Sequence, residues 1–363
     1  MRALFFVSAL DSGGLENYLL RFLTENHSRF EEVYVWCKSG REGQLDSAYL
    51  ELGNVFIVKV KLGYFGFSPY WRLRRFIVSK KIDVVCDFSG NFSGRVMAVS
   101  KRAGVFRRVS SYREASSAFK ENFAKKLYSS WVRHLVYKYS TNIVSNSRAA
   151  LDQFFPEKWV RDKRFSVIYN GVDPKKHLHG EGDMRSELCI PDNAYVVGHT
   201  GRFNAAKNHT AIIAVAEILV AKYPDIYFVL CGNGVRSNLE AGLKSKGLMG
   251  RVFVFDNRSD IRKFLNTMDC YLFPSITEGQ PNALIEAMMV GLPFVASDIP
   301  PIRETVGDAY PLYPALDYAV LAAAVESKYL ARDARCLEQQ REMLRRFDSF
   351  ARFNEFYDLL KGE

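Results

Sequence analysis

The chain has 363 residues, of which 48% are apolar and 25% charged, and its net charge is +10. This length suits two hydrophobic cores better than one, and the composition excludes collagen-like and disordered chains. No apolar run approaches the roughly 20 residues that a membrane-spanning helix needs. The apolar run at the start of the chain is short and lacks a small-residue cleavage site, so it predicts a buried strand and not a signal peptide.

The first half of the chain alternates apolar runs with amphipathic stretches. Runs that are apolar on both faces are typical of strands buried in a parallel sheet, and they lie at Ala3–Ala9, Glu32–Cys37, Val55–Val60, Asp83–Phe88, Arg108–Tyr112, Asn142–Ser145 and Ser166–Ile168. Between them, segments such as Leu15–Leu23 and Tyr70–Val78 carry apolar residues at helical spacing. The alternation predicts a doubly wound α/β domain over residues 1–168.

A turn cluster from Tyr169 and the polar sequence after it predict a linker over residues 169–184. The alternation then restarts and predicts a second α/β domain over residues 185–345. Its predicted strands are Tyr195–Thr200, Ile226–Cys231, Val252–Phe255, Cys270–Phe273 and Pro293–Ala296, and its predicted helices are Ala211–Lys222, Ser237–Lys246, Asp260–Asn266 and Pro281–Val290. Two long helices, Tyr318–Arg332 and Leu337–Leu360, are predicted to close the chain.

The six cysteines and six histidines are scattered, with no C-x-x-C pair and no metal-like histidine spacing. This usage predicts a reducing compartment, no disulfide framework and no metal site. The positive charge, in contrast, is concentrated. The segment Lys101–Arg164 holds 15 Lys and Arg against 5 Asp and Glu, a net charge equal to that of the whole chain. It indicates either an acidic partner (lipid headgroups, a phosphate-bearing acceptor or nucleic acid) or an uneven solvated surface.

The strongest motif follows the predicted strand Cys270–Phe273. A polar loop carries Glu278, Gly279 and Gln280, and Pro281 occupies the expected first position of a helix, where proline gives up no needed hydrogen bond. The backbone N–H groups of Asn282 and Ala283 would then form an anion site, with Glu286 more than one turn inside the helix. The two glutamates could also be ordinary surface residues.

A second motif follows the predicted strand Tyr195–Thr200. Gly201 and Arg202 lead to Lys207 five residues later. Two cations in one loop can neutralise a diphosphate, the guanidinium through a planar fork and the ammonium as a point charge. Either cation alone would be read as part of a solvated basic loop.

Glycine turns follow other predicted strands. Gly13 and Gly14 come after the first strand, where a backbone without Cβ atoms can approach a phosphate or a sugar. Gly232 and Gly234 follow a strand of the second domain, and the loop that contains Ser259 and Ile261 follows the next one. The third glycine of a dinucleotide-binding fingerprint is missing, which disfavours an oxidoreductase.

These motifs together resemble glycosyltransferase family 4, whose marks are E-x7-E at a strand–loop–helix junction and G-R-x4-K. Gly291-Leu292-Pro293 and Ala296-Ser297-Asp298 extend the likeness. The resemblance implies the GT-B fold, with two Rossmann-like domains and a C-terminal helix, residues 346–363, that returns to the first domain. It implies that Arg202 and Lys207 hold the diphosphate of a nucleotide-sugar.

For the remaining motif residues, the resemblance implies that Glu278 contacts the donor sugar, that Glu286 contacts the ribose, and that the other loop residues named above line the donor site. Many family members also carry a histidine after the fifth strand that contacts the donor sugar. Here that place reads Ser111-Tyr112-Arg113-Glu114, so Arg113 or Glu114 is expected to replace it.

We therefore expect a retaining, metal-independent glycosyltransferase without a cofactor, with Arg202, Lys207 and Glu278 in the chemistry. The expected donor is a nucleotide-sugar, with uridine as the default base. The expected acceptor is a saccharide linked to polyprenyl diphosphate, used in surface polysaccharide synthesis. The basic segment predicts peripheral attachment to the anionic inner face of the cell membrane.

Two alternatives are a GT-B nucleotide-sugar epimerase or phosphorylase, and a nucleic-acid-binding protein that uses the basic face. The sequence contains no recognised nucleic-acid-binding motif.

Overall fold

The computed structural model describes residues 1–11, 13–63, 66–113, 123–173 and 182–362. The chain divides into two compact units. Unit 1 comprises Met1–Gly171 and Phe350–Glu363, and unit 2 comprises Val172–Ser349. Residues 174–181, half of the predicted linker, lie outside the described residues.

In its described part, unit 1 contains a seven-stranded parallel sheet with the order β3-β2-β1-β4-β5-β6-β7. The strands are β1 Arg2–Val7, β2 Glu32–Cys37, β3 Val55–Lys59, β4 Val84–Asp87, β5 Arg107–Tyr112, β6 Asn142–Ser145 and β7 Phe165–Val167. The order reverses between β1 and β4. In sheets of this kind, ligands bind beyond the carboxyl ends of the strands at this reversal.

Helices cover both faces of the sheet. The helices of unit 1 are α1 Gly14–Asn26, α2 Asp46–Leu50, α3 Ser68–Ser79, α4 Gly94–Arg102, α5 Phe123–Tyr139, α6 Arg148–Phe154 and α7 Lys158–Arg161, with the terminal helix α15 Ser349–Lys361. One core layer joins the sheet to α1, α2 and α15. A second layer, on the other face, joins it to α3 and α4.

The terminal helix is part of the first of these layers. The ring of Phe356 is fully buried and lies 5.0 Å from that of Phe22 in α1, edge to face. Phe353 packs against the same ring at 5.9 Å. The last helix of the chain thus completes the core of unit 1, which is otherwise formed by the N-terminal part of the chain.

The described part of unit 2 contains a five-stranded parallel sheet with the order β10-β9-β8-β11-β12. Its strands are β8 Tyr195–Thr200, β9 Ile226–Cys231, β10 Val252–Phe255, β11 Cys270–Phe273 and β12 Phe294–Ala296. Its helices are α8 His209–Lys222, α9 Val235–Ser245, α10 Ile261–Thr267, α11 Asn282–Met289, α12 Pro300–Val306, α13 Tyr318–Ala331 and α14 Leu337–Phe347. The order reverses between β8 and β11.

The predicted doubly wound α/β architecture is confirmed, with two Rossmann-like units. The expected single helix Leu337–Leu360 is wrong, because the structure has two helices, α14 and α15, that meet at Asp348. The backbone of Asp348 forms a parallel bridge with Val172 instead of continuing the helix. Among the described residues, no helix is long and apolar enough to cross a membrane.

Candidate active site

The candidate site of unit 2 lies where the strand order reverses. Gly201–Asn208 follows β8, and Pro274–Pro281 follows β11, the neighbouring strand. The two loops are joined directly, since the amide of Ile276 donates to the carbonyl of Ala206 at 2.8 Å. Asn208 adds a second link, because its side-chain amide donates to the carbonyl of Pro274 at 3.1 Å. The parallel sheet thus brings the two strongest motifs together at one edge.

An ion pair connects these motifs. Lys207 Nζ donates to Glu278 Oε1 at 2.6 Å, and the two side chains are only 16% and 10% exposed. The ammonium also lies 4.7 Å from the ring centroid of Phe273. From the sequence, each residue is expected to contact the donor separately. The structure pairs them with each other, which holds the ammonium in one place before any ligand arrives.

Arg202 supplies a second cation in the same loop. Its side chain is exposed, and it makes no ion pair within the described part of the chain. Arg202 is therefore available to a phosphate oxygen, whereas Lys207 already has a carboxylate partner. Together, Arg202 and Lys207 would offer a diphosphate an exposed planar guanidinium and an ammonium that is held by its ion pair.

Close backbone packing explains two of the predicted glycines. A Cβ atom on Gly232 would lie 2.0 Å from the carbonyl oxygen of Gly201, a distance that real Cβ atoms do not reach. Gly201 in turn donates its amide to the carbonyl of Cys231 at 2.9 Å. Gly234 has φ of +76°, in the left-handed region that favours glycine. These residues let the loops after β8 and β9 touch backbone to backbone.

The start of α11 differs by one residue from the expectation. Asn282 is the first helical residue, and Pro281 precedes it as the cap, with φ of −80° and ψ of 71°. Pro281 accepts a hydrogen bond from the amide of Ile285 at 3.0 Å through its carbonyl. The amide of Asn282 donates to the carbonyl of Gln280 at 2.9 Å, whereas the next amide, that of Ala283, has no acceptor within the helix. The anion site expected at this helix start, with Gly279 and Gln280, stays a prediction.

Glu286 lies one turn inside α11 and is half-buried. Burial, followed by the negative charges of Glu286 and Glu278, raises the pKa of the Tyr271 phenol. Both carboxylates are therefore near this buried ring. The phenol donates to the carbonyl of Thr200 at 3.1 Å, which ties the end of β8 to β11.

Sequence reasoning missed a pair of buried histidines beneath the Gly201 loop. The rings of His199 and His209 lie 5.1 Å apart, edge to face. His199 Nδ1 is 2.9 Å from the carbonyl of Leu272, so this nitrogen carries the proton and donates it. His199 Nε2 and both ring nitrogens of His209 have no partner in the described residues. The signal in the sequence was a polar residue inside an otherwise apolar strand.

The surroundings of these histidines oppose protonation. Burial, and next the repulsion that a protonated His209 would exert, hold the pKa of His199 well below its usual range. Burial and the nearby ammonium of Lys207 lower the pKa of His209 to about 4. Both imidazoles are therefore neutral near pH 7. They pack under the loop without adding charge to it.

The loop after β10 contains the residues expected at the nucleotide base. Ser259 is exposed, and Ile261 is the first residue of α10. Arg258 and Asp260 form a two-point pair, with Nε–Oδ1 and Nη2–Oδ2 distances of 2.9 and 2.7 Å. Hydrogen bonds from Arg258 lower the pKa of the Asp260 carboxyl. This pair keeps the loop folded beside the Gly232 turn.

The candidate residues of unit 1 lie at the carboxyl edge of its own sheet. Gly13 caps α1 in an extended conformation, and Gly14 is the first helical residue. Arg113 follows β5, donates to Asn170 Oδ1 and stacks 3.6 Å from the ring centroid of Tyr18. Arg113 therefore has structural partners within unit 1, and Glu114 lies outside the described residues.

The sequence also missed a buried ion pair at this edge. Lys38 Nζ lies 2.6 Å from Asp87 Oδ2 and donates at 2.6 Å to Ser89 Oγ. Asp87 is fully buried at the end of β4, next to the reversal of strand order. A polar network thus lies beside the Gly13 turn.

Two sequence profiles match the chain. The profile described as "Glycosyl transferases group 1" matches residues 181–352, and the one described as "Glycosyltransferase Family 4" matches residues 12–176. The two matches follow one another along the chain and include every described strand except β1. They agree with the motifs that carry the resemblance.

Individual proteins give the same result. The chain is 27% identical over 236 residues to an Escherichia coli UDP-Gal:alpha-D-GlcNAc-diphosphoundecaprenol alpha-1,3-galactosyltransferase, covering 62% of this chain and 60% of that protein. It is 25% identical over 293 residues to the Staphylococcus aureus capsular polysaccharide biosynthesis glycosyltransferase CapH, covering 79% and 78% of the two chains.

The fold matches that of solved structures over the full length. The crystal structure of Anabaena HepE in complex with UDP and glucose gives a TM-score of 0.81 at 19% identity, and the match covers 100% of both chains. At this identity the likeness concerns the fold. With the two profiles, the motifs and the two Rossmann-like units, the chain belongs to glycosyltransferase family 4 and has the GT-B fold.

Proposed function

We propose that this protein is a glycosyltransferase that moves a sugar from a UDP-sugar to a saccharide acceptor in bacterial surface polysaccharide synthesis. The observation that carries the proposal is the Lys207–Glu278 pair at the strand reversal of unit 2, where the helix α11 also begins nearby in the chain. A fixed cation and the N-terminus of a helix suit a diphosphate, and the carboxylates suit hydroxyl groups.

The transfer retains the anomeric configuration. The bond between the sugar C1 and the diphosphate oxygen breaks as the acceptor oxygen bonds to C1 from the same face. The departing phosphate oxygen takes the acceptor proton, so the step needs no separate base. Arg202, Lys207 and the first-turn amides of α11 stabilise the charge that grows on the diphosphate, which is usually the largest catalytic contribution.

Glu278 has two tasks in this scheme. Its carboxylate positions the Lys207 ammonium, and its remaining oxygen accepts hydrogen bonds from hydroxyl groups of the donor sugar. Glu286, one turn into α11, accepts hydrogen bonds from the ribose hydroxyls. The negative charge of the diphosphate is matched by Arg202, Lys207 and the first-turn amides of α11, and we propose that the reaction uses neither a metal ion nor a cofactor.

The acceptor is a saccharide linked to polyprenyl diphosphate. The name of the Escherichia coli relative supports this choice, since it specifies UDP-galactose as donor and a diphosphoundecaprenol-linked sugar as acceptor. Such an acceptor lies in a membrane. The protein accordingly works in the cytoplasm, peripherally at the anionic inner face of the cell membrane, and nucleic acid is not among its partners.

A transfer assay tests the proposal. Purified protein is incubated with a panel of UDP-sugars and with polyprenyl-diphosphate-linked saccharides, and the product is analysed by mass spectrometry and NMR. We expect a product one sugar larger, with the anomeric configuration of the donor, formed only when acceptor is present. Conversion of the donor without acceptor would support an epimerase instead, and an inverted product would contradict the proposed mechanism.

Glu278→Gln, which keeps the size of the side chain, serves as the active-site variant in that assay. Glu326→Gln is its matched control, because Glu326 pairs with Lys222 at the surface of unit 2. We expect transfer to be lost in the first variant and kept in the second. Equal rates in both variants would remove Glu278 from the reaction.

A further inference from the structure

One helical layer of unit 1 is rich in cations. The helices α3, α4 and α5 follow one another in space, with α4 in contact with both of its neighbours. None of the three contains an Asp or a Glu. We call this helical layer the basic face. The opposite layer, formed by α1, α2 and α15, contains Glu16, Asp46 and Glu355 among its acids.

Most of the described cations of the basic face are exposed to solvent. Seven exposed ones make no ion pair within the described part of the chain, and they are Arg72, Arg74, Arg75, Lys101, Arg102, Lys126 and Lys138. A set of uncompensated cations on one layer produces a local positive potential.

Large apolar side chains are exposed on the same face. Phe67, just before α3, is 91% exposed, and Trp71 in its first turn is 56% exposed. Leu127 and Trp131 in α5 are 58% and 50% exposed. Exposed aromatic residues next to cations are unusual for a surface that meets only water. They are typical of segments that lie in a membrane interface.

The position of these apolar residues is informative. In a parallel α/β unit, each helix begins near the carboxyl edge of the sheet and runs back along it. Phe67 and Trp71 lie at the start of α3, and Leu127 and Trp131 lie in the first half of α5. They are therefore close to the edge that carries the Gly13 turn. That edge is where a ligand of unit 1 would bind.

The loop that carries Phe67 is fixed to the layer. Arg95 in α4 donates to the carbonyl of Gly66 at 2.7 Å, and its guanidinium lies 3.8 Å from the ring centroid of Tyr70. The guanidinium of Arg75 lies 4.7 Å from the ring centroid of Trp71. The exposed rings are thus held among cations, an arrangement that fits anionic headgroups above and acyl chains below.

We propose that the basic face is a membrane-docking surface for anionic phospholipid, in which α3 is the main anchor. Phe67 and Trp71 enter the interface, and the three arginines of α3 contact the headgroups. Leu127 and Trp131 of α5 form a second contact. The inference deepens the proposed function, on which it rests, because docking by this face would place the carboxyl edge of unit 1 at the lipid surface that holds the acceptor.

The basic segment identified in the sequence, Lys101–Arg164, does not include α3. Part of that segment is also in α7 and in the loops around it, which do not belong to the basic face. The proposal therefore places the main lipid contact in α3, outside that segment.

Flotation of the full-length protein with vesicles tests the proposal. The vesicles are pure phosphatidylcholine or phosphatidylcholine with one third phosphatidylglycerol, at low and high salt. We expect binding to the anionic vesicles only, weakened by salt. Arg72→Gln with Arg74→Gln and Arg75→Gln should lower the affinity about a hundredfold, since each cation near an anionic leaflet contributes about fivefold.

The matched control removes three exposed cations from unit 2, as Lys244→Gln with Arg341→Gln and Arg345→Gln. This control should bind vesicles like the wild type. The apolar contact is tested with Phe67→Ser combined with Trp71→Ser, which should reduce the part of the vesicle binding that persists at high salt. Leu316→Ser with Leu330→Ser, two exposed residues of unit 2, should not. Circular dichroism and UDP binding of each variant report whether it folds.

Several results would overturn the proposal. Failure of the wild type to bind anionic vesicles would contradict it, as would an equal loss of vesicle affinity in the basic-face and control variants. Self-association that buries Trp71 in solution would contradict it as well. Preference for duplex DNA over vesicles at the same salt would also overturn it. Vesicle binding requires neither donor nor acceptor, so its failure with intact UDP binding would leave the proposed reaction standing.

Discussion

The ammonium of Lys207 lies 2.6 Å from a carboxylate oxygen of Glu278, 71 residues further along the chain. The two residues follow β8 and β11, the neighbouring strands between which the sheet of unit 2 reverses its order. An ion pair at this point is ordered by the fold before a ligand binds. Preorganised charge of this kind stabilises a transition state without reorganisation at the moment of reaction.

Removal of the ammonium tests this role. We expect Lys207→Ala to lower kcat about 10²–10³-fold, because about 3–4 kcal/mol of stabilisation of the leaving diphosphate is lost. Lys222→Ala is the control, since Lys222 forms an exposed ion pair with Glu326 in the same unit and should change kcat less than about twofold. Steady-state kinetics with saturating donor measures both. An unchanged kcat in Lys207→Ala would remove this residue from the chemistry.

The contact between Gly232 and Gly201 leads to a second prediction. In Gly232→Ala, the new Cβ would lie 2.0 Å from the carbonyl oxygen of Gly201, so the two loops must move apart. We expect at least about a tenfold loss of nucleotide affinity, since displacements of about 1 Å in a site are costly. Titration calorimetry measures the affinity.

Gly242→Ala is the matched control for that variant. Gly242 lies within α9, and a Cβ at this position would meet nothing within 4 Å. Alanine in a helix is more stable than glycine by about 0.5–1 kcal/mol. The control should bind nucleotide normally and unfold at a slightly higher temperature. Equal affinities in the two variants would mean that the loops after β8 and β9 do not shape the donor site.

The buried histidines predict how stability depends on pH. The unfolded chain protonates its histidines near pH 6.5, whereas the lowered pKa of His209 is about 4 and that of His199 is also well below its usual range. Unfolding therefore takes up protons in this window. The contribution of the two histidines to stability should be complete above pH 6.5. As the pH is lowered towards 4, the free energy of unfolding should fall by about 1.4 kcal/mol per pH unit for each histidine.

Urea unfolding at pH 7.5 and pH 5 checks this expectation in the wild type and in His209→Phe. Both ring nitrogens of His209 are unpaired and buried, so phenylalanine should cost little at pH 7.5 and should reduce the loss at pH 5. The exposed His134 provides the control as His134→Gln. The same pH dependence in all three proteins would contradict the assignment of the lost stability to this cluster.

The terminal helix gives a fourth prediction. Phe356 is fully buried against Phe22, and truncating such a ring costs about 3–5 kcal/mol. We expect Phe356→Ala to destabilise unit 1 by this amount. Phe350, in the same helix, is 69% exposed, and Phe350→Ala should change stability by less than about 0.5 kcal/mol. Chemical unfolding measures both variants, and similar values would show that α15 contributes little to the core.

Much of the fold could be predicted because strand periodicity is a local property. The bounds of β2, β6, β8, β9, β10 and β11 agree with those read from the sequence. The break at Asp348 could not be predicted, because it depends on a backbone bridge to Val172, far away in the chain. The sequence showed continuous helical spacing there, and the long-range contact overrides it.

The candidate site was predicted in part for the same reason. Gly201, Lys207 and Glu278 each follow a strand, and parallel strands bring such residues to one edge. The direct pairing of Lys207 with Glu278 was not predicted, since it depends on which strands are neighbours. The histidine pair was missed because His199 and His209 are ten positions apart and come together only through the turn between β8 and α8.

The central claim is that unit 2 binds a nucleoside diphosphate through these loops, and a thermal-shift series tests it most directly. The purified protein is measured with UDP, GDP, ADP, CMP and the corresponding nucleotide-sugars, beside Glu286→Ala and the exposed control Glu338→Ala. A ligand at 100 times its Kd stabilises by about 2.7 kcal/mol, which raises Tm by several degrees. We predict that UDP and a UDP-sugar stabilise the wild type and Glu338→Ala, and that Glu286→Ala responds much less. A folded protein that responds to no nucleotide would contradict the account.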